Sequence, residues 1–367
     1  MSDFISKKAR SEIFKLKPYV PGKPIEEVKR ELGLEDIIKI ASNENPLGPS
    51  PQALKAVQEN LNQIHFYPDS NCYHLKKKLS SFTGIEEEGI LVGNGSDELL
   101  KLIAETFLNR GDEVVFAVPS FVEYEFTAVI MGAECITVPL VGFKHDLRAM
   151  REAVSDKTKI IYICNPNNPT GTIVDADEVD DFMAHIPDDV LVIFDEAYYE
   201  YVENRNYANS LKYIKDNRNV ITLRTFSKVY GLAGLRIGYA LTTPFIAQAV
   251  ERVTEPFNVN MLAQLAAIAA LDDQEHVEKS RQMNFEGKQY LYSEFDKMGL
   301  NYIETDANFI FVDTGKDSQE VFGELLRKGI IVRTGDIFGF PTFIRVTIGT
   351  QEENARFIDG LRGVLER

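Results

Sequence analysis

The chain has 367 residues, with 40 Lys and Arg against 56 Asp and Glu, and its formal charge of −16 is spread along the sequence rather than gathered in a tail. That balance argues against nucleic acid and against an anionic membrane surface as partners, and apolar runs no longer than a strand exclude a membrane span. The length allows a full core in two domains, while three dispersed cysteines, Cys72, Cys135 and Cys164, and a polar start with no signal peptide read as a reduced, cytoplasmic protein.

Taken in chain order, residues 1–42 form an amino-terminal arm that carries Tyr19 in a Pro-rich stretch and completes part of a small domain. Residues 43–256 form a large domain. Short apolar runs begin at Ile90, Val114, Ile136, Ile160, Val190 and Val220 and alternate with helical stretches, the pattern of a mostly parallel sheet covered on both faces. The fold class expected is therefore α/β. The first run ends in Gly93, Asn94, Gly95, Ser96 and Asp97, followed by helically spaced Leu99, Leu100, Ile103 and Phe107. A helix N-terminus leaves backbone N–H groups free and its dipole favours an anion, which makes Gly95 and Ser96 candidate phosphate contacts. Taken alone, Ser96 or Asp97 would serve equally well as a plain helix cap.

Three later strand ends carry the chemistry. The run 160–164 stops at a turn, Asn165 to Gly171, that contains Asn168. The run 190–194 ends at Asp195, Glu196, Ala197 and Tyr198, and the run 220–223 leads into Thr225, Phe226, Ser227, Lys228 and, eight residues on, Arg236. These ends lie about thirty residues apart, the length of a strand, a crossover helix and the next strand, so Asn168, Asp195 and Lys228 are expected at one edge of one sheet. Open parallel sheets bind ligands there. A lysine at such a place, with hydroxyls before it and an arginine after it, suits an amine that bonds a phosphorylated aldehyde, and the cofactor this points to is pyridoxal phosphate. The amine must be neutral for part of its cycle, which a partly desolvated site favours. Ser227, Thr225 and Arg236 are donors for the phosphate. Asp195 can pair with the protonated pyridine nitrogen, and Asn168 and Tyr198 can hydrogen-bond the ring's phenolic oxygen. Each also has a bland alternative: a helix cap, a turn former and a packing tyrosine.

Residues 257–367 form a small α+β domain, with amphipathic helices at 261–271 and 277–298, strands near 308–312, 330–333 and 343–348, and a helix at 318–328. The five histidines are too dispersed for a local metal motif, so no metal is expected. Surface or capping roles suit them better.

The segments 93–97, 168–171, 195–198 and 225–236, in that order and at those intervals, resemble the fold type I pyridoxal phosphate aminotransferases. With 16–24, 42–51, 67–69, 331–333 and 344–350, the likeness narrows to the histidinol-phosphate aminotransferase family. It spans about residues 16–365. The resemblance implies transfer of an amino group between histidinol phosphate and 2-oxoglutarate, with an aromatic amino acid aminotransferase or a phospho-amino-acid decarboxylase as the alternative. It places Phe121 as the ring stacked on the cofactor, in a position where the family often has tyrosine. It gives Lys228, Asp195 and Tyr198 the catalytic roles and adds Asp97 to the cofactor contacts. Arg345 is implied to hold a substrate carboxylate, and Arg333 and Tyr19 the substrate phosphate. Tyr67 is implied to reach the cofactor of a neighbouring subunit, which makes the expected unit a homodimer.

Overall fold

A computed structural model describes residues 3–18 and 22–366. The chain enters its sheets through a two-residue strand, β1 (Ile38–Lys39). It then lays down β2 (Ile90–Gly93), β3 (Glu113–Val118), β4 (Glu134–Pro139), β5 (Thr158–Cys164), β6 (Leu191–Asp195), β7 (Val220–Thr225) and β8 (Gly238–Leu241). After two long helices come β9 (Asn301–Ile303), β10 (Phe309–Asp313), β11 (Ile330–Ile331), β12 (Arg333–Thr334) and β13 (Phe343–Thr347).

Among the described residues, β2 to β8 form one seven-stranded sheet in the order β2-β8-β7-β6-β5-β3-β4. All neighbours pair in parallel except β8, which runs antiparallel to both β2 and β7. Reversing that one strand leaves β2, β5, β6 and β7 pointing the same way, so their carboxyl ends share an edge. The start of β8 lies at the same edge. Sequence patterning did not separate β8 from the glycine-rich loop before it, because it has only four residues and begins with glycine.

The sheet is buried on both faces by alternation. Ile161 and Ile163 of β5 enter a core with helices Pro51–Asn60, Tyr73–Thr83 and Ala176–His185, while Ile160 and Tyr162 enter a second core with Ser96–Phe107, Glu123–Met131 and Pro244–Glu251. Strands covered on both sides read as continuous apolar runs, which is why β5, β6 and β7 stood out in the sequence. Helix Met261–Asp272 presents Ala263, Ala266, Ala267 and Ala270 to the first core and packs on Pro51–Asn60.

A four-stranded antiparallel sheet, β12-β13-β10-β9, encloses a separate core with the second half of helix Gln274–Lys297 and with helices Ser318–Arg327 and Gln351–Leu365. That long helix touches both cores: Val277 lies in the first and Leu291 and Phe295 in the other. The amino-terminal segment joins the same region, since β1 pairs in parallel with β11 and Ile40 is buried beside β13.

Candidate active site

The carboxyl edge of the large sheet opens into a cavity of about 380 Å³. Its walls include Asp195, Tyr198, Asn168, Lys228, Phe121 and the arginines 236, 333 and 345. Residues from Ser96 to Arg236 meet there because four strand ends and one strand start share that edge, and the small sheet and the amino-terminal segment add Arg333, Arg345 and Ala41 to Glu44.

Lys228 stands three residues beyond β7, half-buried, with its Nζ donating to the carbonyl of Ser42 at 3.3 Å. Burial lowers its pKa to about 8, with the nearby Arg345 charge acting the same way. Near neutrality, a useful fraction of this amine is uncharged. Asp195 closes β6 and is buried. Its Oδ2 accepts from the Tyr124 hydroxyl at 2.7 Å and its Oδ1 from the Ala197 N–H at 3.2 Å. Burial pushes its pKa up to about 6 against the pull of those two donors, so the carboxylate is short of a positive partner.

Tyr124 was missed by sequence reasoning. It is fully buried and stacks on Tyr162 with centroids 4.5 Å apart, and its edge meets Phe121 at 5.7 Å. The available signal was weak: a tyrosine one helical turn after Phe121, whose hydroxyl needs a partner once buried. Asn167 was also passed over. Its side chain accepts from Ser120 Oγ at 2.8 Å and donates to Thr170 Oγ1 at 2.9 Å, tying the Phe121 loop to the Asn168 loop. His145 bonds the same Asn167 oxygen at 3.2 Å and is buried, with its pKa lowered to about 4 by that burial. His276 is buried as well. The expected surface or capping placement of the histidines is therefore corrected for these two, which packing draws inward.

At the other wall, helix Ser96–Phe107 starts with Gly95 as its N-cap and no side-chain cap. Neither Ser96 nor Asp97 performs the capping role that was their bland alternative. The Arg236 guanidinium lies over this terminus, pairing with Asp97 Oδ2 at 3.1 Å and reaching Ser227 Oγ at 3.5 Å. Gly95 has φ +87°, and a Cβ there would stand 2.6 Å from Arg236 Nη2. Only glycine lets the arginine approach so closely. Thr225 Oγ1 accepts from the Ser227 N–H at 3.0 Å and shapes the turn. Free helix N–H groups, the Ser96 and Ser227 hydroxyls and a guanidinium form a donor set that fits a phosphate dianion. An aldehyde-bonding lysine and a buried carboxylate in want of a cation complete the fit to a phosphorylated pyridine aldehyde.

The substrate side is built from the small sheet. Arg333 and Arg345 are direct register partners across β12 and β13, so their side chains leave the same face. Arg345 is buried, donating from Nη1 to Asn168 Oδ1 at 2.5 Å and from Nη2 to the Ala41 carbonyl at 2.8 Å. Tyr198 accepts from Asn43 Nδ2 at 2.9 Å. Tyr19 lies outside the described residues. Tyr67 is not brought to this cavity: it is 82% exposed and stacks on Phe257 at 4.7 Å, beside exposed Leu61, Ile64 and Phe66. Among the described residues, no group of three or more His, Cys, Asp or Glu is placed to hold a metal ion, and no helix is long and apolar enough to cross a membrane.

Comparison with known proteins gives the family. Residues 35–361 match the family model described as aminotransferase class I and II. A curated histidinol-phosphate aminotransferase of Moorella thermoacetica is 58% identical over 98% of this chain and 93% of its own length. One from Caldicellulosiruptor saccharolyticus is 49% identical over 97% of this chain and 99% of its own. A solved structure, that of histidinol-phosphate aminotransferase from Sinorhizobium meliloti in complex with pyridoxal-5'-phosphate, superposes with a TM-score of 0.91 at 29% identity, covering 98% of each chain.

Proposed function

This chain belongs to the class I and II aminotransferases, and from that premise we propose how its residues exchange an amino group between histidinol phosphate and 2-oxoglutarate. Its cofactor is pyridoxal 5'-phosphate, which when bound supplies an electron sink for the pair left on the substrate carbon. The observation that carries the residue assignment is the pairing of Arg333 with Arg345 on one sheet face, both lining the same cavity as Lys228.

In this reading the uncapped terminus at Gly95 and Ser96, with Thr225, Ser227 and Arg236, would hold the phosphate, and Asp97 would orient Arg236 through their 3.1 Å pair. Phe121 would stack on the ring and fix its position, and Asp195 would hold the pyridine nitrogen in its protonated form. Asn168 and Tyr198 face the phenolic oxygen. Lys228 would anchor the aldehyde, and its Nζ, once free, would carry a proton from the substrate α-carbon to the cofactor carbon on the other side of the shared nitrogen. A pKa near 8 suits both roles. Histidinol phosphate has no carboxylate and glutamate has two, so one pocket must accept either kind of anion; planar guanidinium forks do so. Arg333 and Tyr19 take the substrate phosphate, and Arg345 takes the α-carboxylate of the amino-acid partner.

The active unit in this reading is a homodimer. Tyr67 does not line its own cavity and is exposed, as are Leu61, Ile64 and Phe66 just before it in the chain, which supports its reaching a partner's cofactor. We place the enzyme in the cytoplasm, where its three free thiols stay reduced. Of the working division into 1–42, 43–256 and 257–367, the β1–β11 pairing supports joining the arm to the small unit. The packing of Met261–Asp272 in the large core favours moving the second boundary to Asp273.

A half-reaction screen tests the function. Histidinol phosphate should convert the bound cofactor's visible band to the amine form more efficiently than phenylalanine does. Preference for phenylalanine would put an aromatic amino acid aminotransferase first.

A further inference from the structure

Three consecutive residues after β1 each hold one functional group of the cavity. The Ala41 carbonyl accepts from Arg345, the Ser42 carbonyl accepts from Lys228, and the Asn43 side chain donates to the Tyr198 hydroxyl at 2.9 Å. The third contact carries directional information. An amide nitrogen donates and cannot accept, so the Tyr198 oxygen spends a lone pair on Asn43 and its own proton must point elsewhere.

The Asn43 amide oxygen has a partner of its own. Oδ1 accepts from Thr347 Oγ1 at 3.1 Å, and that same Oγ1 accepts from the Asn43 backbone N–H at 2.9 Å, an arrangement that favours the amide with Nδ2 toward Tyr198. Asn308 Nδ2 donates to the Asn43 carbonyl at 3.0 Å and fixes the backbone. The backbone φ is +57°, a left-handed conformation that asparagine tolerates better than most residues. Thr347, Asn43 and Tyr198 thus form a chain of donors with one sense, running from β13 into the cavity.

We propose that Asn43 is a positioning residue that aims the Tyr198 hydroxyl proton into the cavity, at the cofactor's phenolic oxygen, and so lowers the pH at which the bound chromophore loses its proton. The inference rests on the reading that Tyr198 faces that oxygen. Thr347 holds Asn43 in the donating orientation, which links proton direction at the large sheet to the position of the small sheet.

The test is a double-mutant cycle followed by spectrophotometric pH titration of protein loaded with pyridoxal phosphate. Tyr198→Phe alone should raise the midpoint by on the order of one pH unit. An unmoved midpoint in that variant overturns the placement of Tyr198 itself. Asn43→Asp replaces the donor by an acceptor, draws the Tyr198 proton out of the cavity and should raise the midpoint by a similar amount. In the Tyr198→Phe background the same change acts through its charge alone and should give a markedly smaller step. Equal steps in both backgrounds, or no step with Tyr198 present, overturn the role of Asn43. Thr347→Val provides a second arm should Asn43→Asp fail to fold: it should raise the midpoint by about a few tenths of a pH unit, and only when Tyr198 is present. A rise independent of Tyr198, or no rise, counts against the proposal.

Discussion

The two walls of the cavity are built by different means. On the large sheet, Asn168, Asp195 and Lys228 are delivered by backbone alone, each at or just beyond the end of a parallel strand whose direction is set by its neighbours. On the small-sheet side, Arg345 is held by side-chain bonds to Asn168 and Ala41, residues 177 and 304 positions away. One wall is a property of the sheet, and the other exists only when two sheets and the amino-terminal segment are docked. Substitutions on the first wall should therefore act on the cofactor and its chemistry. Those on the second should act on substrate choice.

The largest expected effect is on the first wall. Lys228→Ala removes both the anchor and the proton carrier, and kcat should fall by about 10⁴-fold or more. Borohydride-reduced cofactor should map by mass spectrometry to Lys228 in the parent protein and to no lysine in the variant. Mapping to another lysine would remove Lys228 from the centre of the site.

Asp195→Asn should separate stability from function. Its carboxyl is raised on folding from 3.8 to about 6 by burial. A carboxyl with a raised pKa holds its proton more tightly in the folded chain, so the cofactor-free protein loses stability as pH climbs from about 4 to 6 and stays at the lower level above. The neutral amide should recover on the order of 2–3 kcal/mol in denaturant unfolding at pH 8 without cofactor, while cofactor affinity falls. Equal stability of parent and variant at pH 8 would contradict the shift.

On the second wall, a charge-assisted hydrogen bond is worth about 1.5–3 kcal/mol, so Arg333→Ala should cost roughly tenfold to a hundredfold in kcat/KM for histidinol phosphate. Phenylalanine presents no phosphate and should lose less. Parallel losses for the two donors would show that Arg333 does not read the phosphate. The smallest effect expected is for Gly95→Ala. The φ of +87° with ψ 167° is a region reserved almost wholly for glycine, and side-chain strain of about 1–3 kcal/mol should weaken cofactor binding about tenfold, measured by fluorescence titration. Unchanged affinity would mean that the close approach of Arg236 is dispensable.

The walls also differed in legibility. The mostly apolar runs 160–164, 190–194 and 220–223 within or overlapping β5, β6 and β7 are followed by polar residues, so Asn168, Asp195 and Lys228 could be placed at one edge from spacing alone. Strand β8 was overlooked, and it decides that Arg236 returns to that edge. Arg333 and Arg345 entered through family resemblance, since periodicity on a short strand does not say which face meets a distant cavity. Tyr124, Asn167 and Asn43 had no sequence signal equal to their placement, because each acts through a hydrogen bond to a residue 22 to 155 positions away.

What the sequence determined by itself was the α/β class, the helix start after Gly95 and the order in which the candidate site residues reach the sheet edge, because these depend on local periodicity and on strand-to-strand spacing. What only the tertiary structure decided was the reversal of β8, the clasp of residues 41–43 on Arg345, Lys228 and Tyr198, and the desolvation of Asp195 and Lys228 that moves their pKa values. Hydrogen-bond direction and desolvation depend on which distant groups are packed together, and chain order leaves that open until both sheets have closed around the cavity.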